Sequence, residues 1–233
     1  MLACEKEGLD FIKSTNTIST PEVLALDQFD IYPFLLLEYI DAKPAEDSDF
    51  ITLGRQLGEF HNKAGLSFGG IQNNFIGSLP QSNQTYSEWQ PFYLWERLIP
   101  QLRTAVDAGH LPPAEIPNEE KWDPLFDQLL PEVLPSPLHG DLWSGNFLIQ
   151  KDGSPFLIDP STYYGHSEVD LAMSQLFGGF GPGFYESYRE VVEPNEGEEE
   201  RIKLYQLYYL LVHLNMFGLT YKPSVMGIIK DFF

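Results

Sequence analysis

Two short apolar runs, Phe147-Leu148-Ile149 and Phe156-Leu157-Ile158, flank the turn Lys151-Asp152-Gly153, with His139 to Asn146 just before them and Asp159 just after. Runs of strand length joined by a Gly-containing turn predict a β-hairpin. A hairpin returns its last residue beside its first, so Asp159 is expected next to Asn146. This spacing constrains the chain more than any other feature, because it places two oxygen-bearing side chains at the open end of one hairpin, five residues from a further carboxylate, Asp141.

The full stretch is His139-Gly140-Asp141-Leu142-Trp143-Ser144-Gly145-Asn146. Phosphoryl transfer needs a carboxylate to accept the attacking hydroxyl's proton and hard oxygen ligands to hold magnesium against phosphates. Asp141 suits the first task, and Asn146 with Asp159 the second. The spacing matches the catalytic loop and metal-binding Asp of kinase-type folds. Two other readings stand beside this one. His, Asp and Asn also gather in ordinary turns. A metal-dependent phosphohydrolase could instead draw a mixed nitrogen and oxygen site from His139, Asp141, Asp159 and His166.

Composition narrows the class. The chain of 233 residues has room for one large or two small domains, and its formal charge of −20 argues against nucleic-acid or anionic-membrane surfaces, which need clustered Lys and Arg. Cationic or neutral partners suit it better. No apolar run approaches the ~18 residues of a membrane span. The start, Met1-Leu2-Ala3-Cys4-Glu5-Lys6, has neither a basic region nor an apolar core of signal type. One cysteine, Cys4, cannot form an internal disulfide, and a cytoplasmic location is expected. The acids from Glu193 to Glu200 are assigned to a loop and a helix N-terminus, where the dipole favours them.

Along the chain, residues 1 to about 15 predict a helix. Val23 to Leu26 and Phe34 to Leu37 predict a hairpin of buried strands, which Glu38-Tyr39-Ile40-Asp41 leaves. A polar hinge is expected at 42 to 49. A helix capped by Ser48 or Asp49 follows, stopped by Gly65, with His61 on or beside its apolar face as a core histidine. Residues 68 to 83, rich in Gly, Asn and Pro, predict a long loop. A helix from Ser87 carries Trp89, Phe92 and Trp95 to Gly109, and a short one spans about 122 to 134. Beyond the motif, Ser167 to Ala172 opens a helix, and Ile202 to Met216 predicts a buried terminal helix.

The order of these parts resembles the fructosamine kinase (ketosamine kinase) family, relatives of aminoglycoside phosphotransferases within the protein-kinase-like fold. The resemblance runs end to end. It rests on Lys13-Ser14-Thr15-Asn16-Thr17, Asn74-Phe75-Ile76-Gly77-Ser78 with Pro80-Gln81, Trp89 followed by Arg97 and Gln101, the His139 to Asn146 motif, Ile158-Asp159-Pro160, and His213-Leu214-Asn215-Met216-Phe217-Gly218. The Trp143-Ser144-Gly145 insert favours this family over antibiotic kinases.

The resemblance implies an α+β, two-lobed protein-kinase-like fold with an incomplete small lobe at 1–41 and a mainly helical large lobe at 42–233. It implies ATP-dependent, Mg2+-assisted phosphorylation of the O3 hydroxyl of a fructosamine or ribulosamine, free or protein-bound, in protein deglycation repair. Asp141 would accept the proton, Asn146 and Asp159 would hold magnesium, and His139 and Asp170 would support the loop. Glu5 would match the helix Glu that pairs with a phosphate-binding Lys, and the backbone of Glu38, Tyr39 and Ile40 would meet adenine. Trp143 and Trp89 would line the substrate site, with core packing the lesser alternative for Trp143, and Asp170 could equally be an ordinary first-turn residue. Kinase-type folds also cover the phosphates with a Gly-rich loop and a strand Lys. Neither occurs in these residues, since Lys6 and Lys13 lie in or after the first helix. The chain is therefore expected to be a family member lacking about the first fifth of the fold, self-associating and weakly active. A catalytically silent ligand-binding or interaction protein is the alternative.

Overall fold

A computed structural model describes all of residues 1–233. In chain order the elements are α1 (Leu2–Ser14), β1 (Val23–Phe29), β2 (Tyr32–Leu37), β3 (Ala42–Lys43), α2 (Asp47–His61), β4 (Asn74–Ile76) and β5 (Leu79–Gln81). Next come α3 (Trp89–Phe92), a π-helical segment (Tyr93–Leu98), α4 (Ile99–Asp107), α5 (Trp122–Leu129), β6 (Ser136–Leu138), β7 (Phe147–Gln150), β8 (Pro155–Leu157) and β9 (Tyr163–Gly165). The chain closes with α6 (Glu168–Leu176), α7 (Pro182–Arg189), α8 (Glu198–Phe217) and α9 (Lys222–Phe232).

The large helical part is organised around α8, which packs on α4, α6 and α9. Its sequence is apolar nearly all round, so it can only sit inside. Leu204, Leu207, Tyr208, Tyr209 and Leu211 are all buried in one continuous core. Helix α2 lies against α7 at a distance that glycine sets. A Cβ on Gly54 would stand 2.1 Å from the Phe184 carbonyl oxygen, and one on Gly58 would stand 2.8 Å from Val191 Cβ. The sheets are small. β3, β7 and β8 form one antiparallel set, and β6 pairs with β9 through Leu138 and Tyr163. Segment 15–20 is stitched to this part, because Leu157 N–H donates to the Ser19 carbonyl at 2.9 Å.

Several expectations need correction. The β1–β2 hairpin forms, with Asp27 opposite Phe34, but its strands are exposed rather than buried: Phe29 is 78 % exposed and Leu24 58 %. No third strand joins this sheet, and α1 covers it only in part. Residues 68–83 are not simply a loop, since β4 and β5 pair there around Gly77. The 42–49 linker includes β3, which pairs with β7. The cap of α2 is Glu46 in a reciprocal box with Asp49, and the helix ends at Asn62 rather than Gly65. Helix α8 is not terminal, since α9 follows it, and α7 lies where no helix is expected from the sequence. Periodicity reports burial only where a partner surface exists. The β1–β2 strands have only partial cover, from α1, and Leu24, Phe29 and Leu36 stay exposed.

The α2–α7 contact generates a test. Helix propensity alone predicts that Gly54→Ala stabilises by about 1 kcal/mol, whereas overpacking costs about 1 to 3 kcal/mol. With backbone as the obstacle, the clash dominates. The Gly54→Ala melting temperature is expected to fall, by about 2 to 4 °C for each kcal/mol lost, as read by thermal unfolding.

Candidate active site

Strand β6 delivers the chain into the His139 to Asn146 loop, and the β7–β8 hairpin brings it back. Ile158 N–H donates to the Asn146 carbonyl at 3.0 Å, closing the hairpin where the sequence spacing requires. Asn146 Nδ2 donates to the Asp141 carbonyl at 2.9 Å, to Asp141 Oδ2 at 3.3 Å and to the Asp159 carbonyl at 3.5 Å. One carboxamide thus ties the three residues together. Gly140 has φ +83°, and a Cβ there would lie 2.2 Å from the Ser161 carbonyl oxygen, so no other residue fits this turn. Asp159 itself holds φ +52°, a conformation that non-glycine residues adopt at some cost and that tends to collect at functional sites.

The loop backbone is held from all sides. Buried Asp170 accepts His139 N–H at 2.7 Å and Gly140 N–H at 2.9 Å through its two carboxylate oxygens. His61 Nε2 lies 3.2 Å from the same carboxylate, while its Nδ1 lies 2.8 Å from Tyr188 Oη. His61 is therefore a core histidine, but one in contact with the group that holds the loop. Tyr209 donates its hydroxyl to the Gly140 carbonyl at 3.0 Å. His139 Nε2 donates to the Ile158 carbonyl at 2.9 Å, and its Nδ1 accepts Asp141 N–H at 3.3 Å. Burial pushes the His139 pKa down, in keeping with a neutral ring in that tautomer. His166 faces elsewhere, with Nδ1 2.8 Å from Tyr205 Oη, and burial together with Arg201 pushes it down to about 3. No three His, Cys, Asp or Glu side chains are grouped to hold a metal. The His139, Asp141, Asp159 and His166 metal set is thereby ruled out.

Two cavities meet at Asp141 and Asp159. The smaller, about 160 Å³, lies under the start of α1 and is lined by Cys4, Glu5, Asn74 and Ser161 as well as both aspartates. The larger, about 540 Å³, is mostly apolar and is walled by Ile76, Gly77, Trp143, Met173, Phe177 and the last two turns of α8. Charge is crowded where they join. Burial, followed by the Asp159 and Asp170 charges, pushes Asp141 up to about 7, and burial with the Asp159 charge raises Glu5. Unbalanced negative charge of this kind suits a divalent cation. The donor set fits magnesium: with Asn146 Nδ2 committed to the loop, its Oδ1 and the Asp159 carboxylate are the hard donors, and phosphate and water can complete the shell of an ion that seldom takes an all-protein cage.

The remaining predicted residues divide. Trp143 is 40 % exposed and lines the larger cavity, its ring lying over Gly145. Trp89 does not line it. Trp89 is 3 % exposed, stacked on Phe92 and Tyr93, and donates Nε1–H to Tyr205 Oη at 2.9 Å, so the substrate assignment for Trp89 is corrected to core packing. Glu38 Oε2 accepts Glu22 N–H at 3.1 Å, Tyr39 is 85 % exposed and Ile40 is buried; none of these three lines either cavity. Sequence reasoning missed Tyr209, Met216 and His213 as wall residues. His213 sits among Phe177, Phe217 and Tyr221 with ring centroids 4.7 to 5.5 Å away. The signal was present in the His213 to Gly218 motif, but helical periodicity reads such residues as core.

Solved structures define the class. A choline kinase of Streptococcus pneumoniae aligns over 100 % of this chain and 80 % of its own at a TM-score of 0.57 and 16 % identity, which shows a protein-kinase-like phosphotransferase fold. A Thermobifida fusca structure assigned as a fructosamine-3-kinase aligns far more closely, at TM-score 0.90 and 34 % identity over 99 % of this chain and 79 % of that one. The chloroplastic protein-ribulosamine 3-kinase of Arabidopsis thaliana is 38 % identical over 100 % of this chain and 72 % of its own. The fructosamine kinase family model matches residues 1–233. The chain belongs to the fructosamine kinase family, and it is a phosphotransferase.

The Asp141 environment predicts a pH-dependent effect on stability. Its pKa is raised in the folded state, so the penalty for ionisation is absent below the ordinary carboxylate value, grows above it, and is complete once pH passes about 7. Asp141→Asn removes that penalty. The variant should melt no higher than wild type at pH 4 and at least ~2 °C higher at pH 8, a shift equivalent to about 1 kcal/mol or less. An equal shift at both pH values rejects this account of Asp141.

Proposed function

We propose that the protein transfers the γ-phosphoryl group of ATP to the O3 hydroxyl of a ketosamine, a fructose or ribulose unit linked to an amine. One observation carries this reading: Asp141, Asn146 and Asp159 meet where an acidic cavity joins an aromatic one. Asp141 accepts the hydroxyl proton as oxygen attacks phosphorus and the bond to the departing ADP breaks. A carboxylate titrating at about 7 suits that task, because it can both take up and release a proton near neutrality. Magnesium, held by Asn146 and Asp159, supplies charge neutralisation to the phosphates. Asp170 and His139 fix the loop that aims Asp141. Trp143 covers the C–H face of the sugar, a surface an indole matches without charge. The likeness to the Arabidopsis protein-ribulosamine 3-kinase supports the O3 position and protein-bound adducts, and with them a role in deglycation repair. A reducing cytoplasm suits the single free Cys4.

Residues 1–41 act in this reading as part of a small lobe, with Glu5 directed to the phosphate side and the backbone of Glu38 to Ile40 directed to adenine, and residues 42–233 form the large lobe. Glu5 makes no ion pair here, and Lys6 pairs with Asp10 at 2.6 Å instead. That observation favours slow turnover by these 233 residues alone, and keeps open a second reading, a silent ligand-binding relative. Steady-state assay of the chain with magnesium, ATP and a fructosamine, alone and with a Gly-rich loop and strand Lys supplied at its N-terminus, separates the two. The active form should lose at least ~100-fold in turnover on Asp141→Asn, and Asp159→Ala should lose metal-dependent nucleotide binding. Phosphorylation at wild-type rate by Asp141→Asn removes Asp141 from its role.

The exposed β1–β2 face, with Leu24, Phe29, Ile31, Tyr32 and Leu36, is a large apolar patch beside open strand edges. We expect these residues to drive self-association. Sedimentation velocity at micromolar concentration should show species heavier than 26.6 kDa, and Phe29→Lys with Tyr32→Lys should return the protein to monomer.

A further inference from the structure

Arg97 is completely buried and forms no ion pair with any carboxylate. A buried guanidinium is costly unless its donors are satisfied, and here Nη1 and Nη2 are satisfied by oxygens of Arg97's own helical segment and of the stretch that follows β5, while Nε has no hydrogen-bond partner. Nη1 donates to the Ser82 carbonyl at 2.7 Å and to the Glu96 carbonyl at 2.9 Å, and Nη2 donates to Asn83 Oδ1. The planar group lies 3.9 Å from the Tyr163 ring centroid and 4.7 Å from that of Phe92. It stands in the π-helical segment, a wide turn of the kind that recurs at functional sites.

From Arg97 a continuous polar chain leads to the β4–β5 hairpin. Asn83 Nδ2 donates to Asn74 Oδ1 at 3.1 Å, and Gln81 Nε2 donates to the same oxygen at 2.8 Å. Gln81 Oε1 accepts the Tyr208 hydroxyl, and Asn74 Nδ2 donates to the Thr162 carbonyl at 2.9 Å. Ser161 Oγ donates to the Phe75 carbonyl at 2.6 Å. The hairpin is thus fastened at its base to the segment that follows Asp159. Its tip faces the chemistry: Ile76 and Gly77 line the larger cavity with Asp141, Trp143 and Asp159. Gly77 has φ +54°, and a Cβ there would lie 2.5 Å from Met216 Cε, so the tip rests directly on α8. Small displacements of the hairpin therefore change the width of the acceptor pocket.

We propose that Arg97 is a positioning residue for the sugar acceptor, acting through the Asn83, Asn74 and Gln81 network to set the β4–β5 hairpin as one wall of the pocket. A hydrophobic residue of similar volume would fill the space, but it would leave the Ser82-Asn83 stretch untied from the π-helical segment. Lysine would not serve either, because the function rests on a planar fork that bonds two segments while stacked between rings. The effect is assigned to acceptor binding because the hairpin tip, Ile76 and Gly77, lines the larger cavity; Asn74 at the hairpin base borders the smaller one, and neither Asn146 nor Asp159 hydrogen-bonds to Arg97, Asn83, Asn74 or Gln81.

The inference rests on the ketosamine kinase reading, and the test reads two quantities so that either can fail alone. Arg97→Met and Arg97→Lys are compared with wild type, using the fructose adduct of n-butylamine as acceptor in steady-state assays and amide hydrogen exchange without ligand. Replacement of a buried ion by a residue of similar volume is often tolerated. Both variants should raise KM for the adduct about tenfold while kcat and KM for ATP stay within about twofold, a loss of ground-state binding. Exchange at residues 75–81 should quicken by about tenfold while residues 139–146 keep their protection. Tyr208→Phe, which removes one hydroxyl from the network, should move both readouts in the same direction by about threefold and decides the matter if the Arg97 variants do not fold. Unchanged exchange at 75–81, or equal rises in KM for ATP and for the adduct, overturns the role assigned to Arg97. Should wild type phosphorylate no ketosamine, the function proposed above fails, while exchange confined to the hairpin still supports Arg97 as the residue that sets it.

Discussion

The Asp170 carboxylate is the contact on which the active-site geometry depends. It lies at the N-terminal end of α6, fully buried, with both oxygens accepting backbone N–H groups of the His139 and Gly140 turn. Without it, two buried donors would go unpaired, at about 1 to 3 kcal/mol each. His61 on α2 meets that carboxylate from behind and is itself held by Tyr188 on α7, so a relay through three helices backs one dipeptide. Tyr209 on α8 secures the Gly140 carbonyl from the opposite side. The loop is therefore defined by the packing of the large helical part rather than by its own propensity.

A second constraint follows from placing charge inside that scaffold. Asp141, Asp159 and Glu5 share one cavity with no cationic side chain among its lining residues. The structure tolerates this because the carboxyls at Asp141 and Glu5 rise toward neutrality. The neighbouring cavity is instead largely aromatic, with Asp141 and Asp159 as its only acids. Polar and apolar halves thus share one pair of aspartates, an arrangement that lets a charged donor and a carbohydrate acceptor approach from opposite sides. Trp143 lines only the larger of the two cavities, whereas Asp141, two residues before it, lines both.

Much of the site was legible from local sequence. The turn at Lys151-Asp152-Gly153 between apolar runs predicts the hairpin that sets Asn146 beside Asp159, because strand pairing depends on near neighbours and turn chemistry. The position of α8 follows from its strongly apolar stretch from Leu204 to Leu214, and the role of His61 as a core residue from its place on the apolar face of α2. Other features were not legible. The resemblance assigns both Trp89 and Trp143 to the substrate site, yet one is stacked on Phe92 and Tyr93 and the other lines a cavity. Nothing in their flanking residues separates them. The β1–β2 strands carry a core-like pattern but lie exposed, since burial requires a covering surface that alternation cannot supply. The β4–β5 hairpin escaped notice because its Gly, Asn and Pro content reads as loop while its stability comes from Asn74, Gln81 and Asn83 bonding to distant segments.

By itself the sequence determined the chemistry: a carboxylate, a carboxamide and a second carboxylate at spacings that one tight loop and one hairpin bring together, in a family order running from end to end. These are short-range consequences of turn geometry and residue type. Tertiary structure decided everything that depends on which surfaces meet: that Asp170 reaches across to hold His139 and Gly140, that burial lifts Asp141 to about 7, and that Arg97 finds its partners at Ser82 and Asn83. Desolvation and long-range hydrogen bonding are properties of packed neighbours, and residues far apart in the chain become neighbours only once α2, α6, α7 and α8 have closed around the loop.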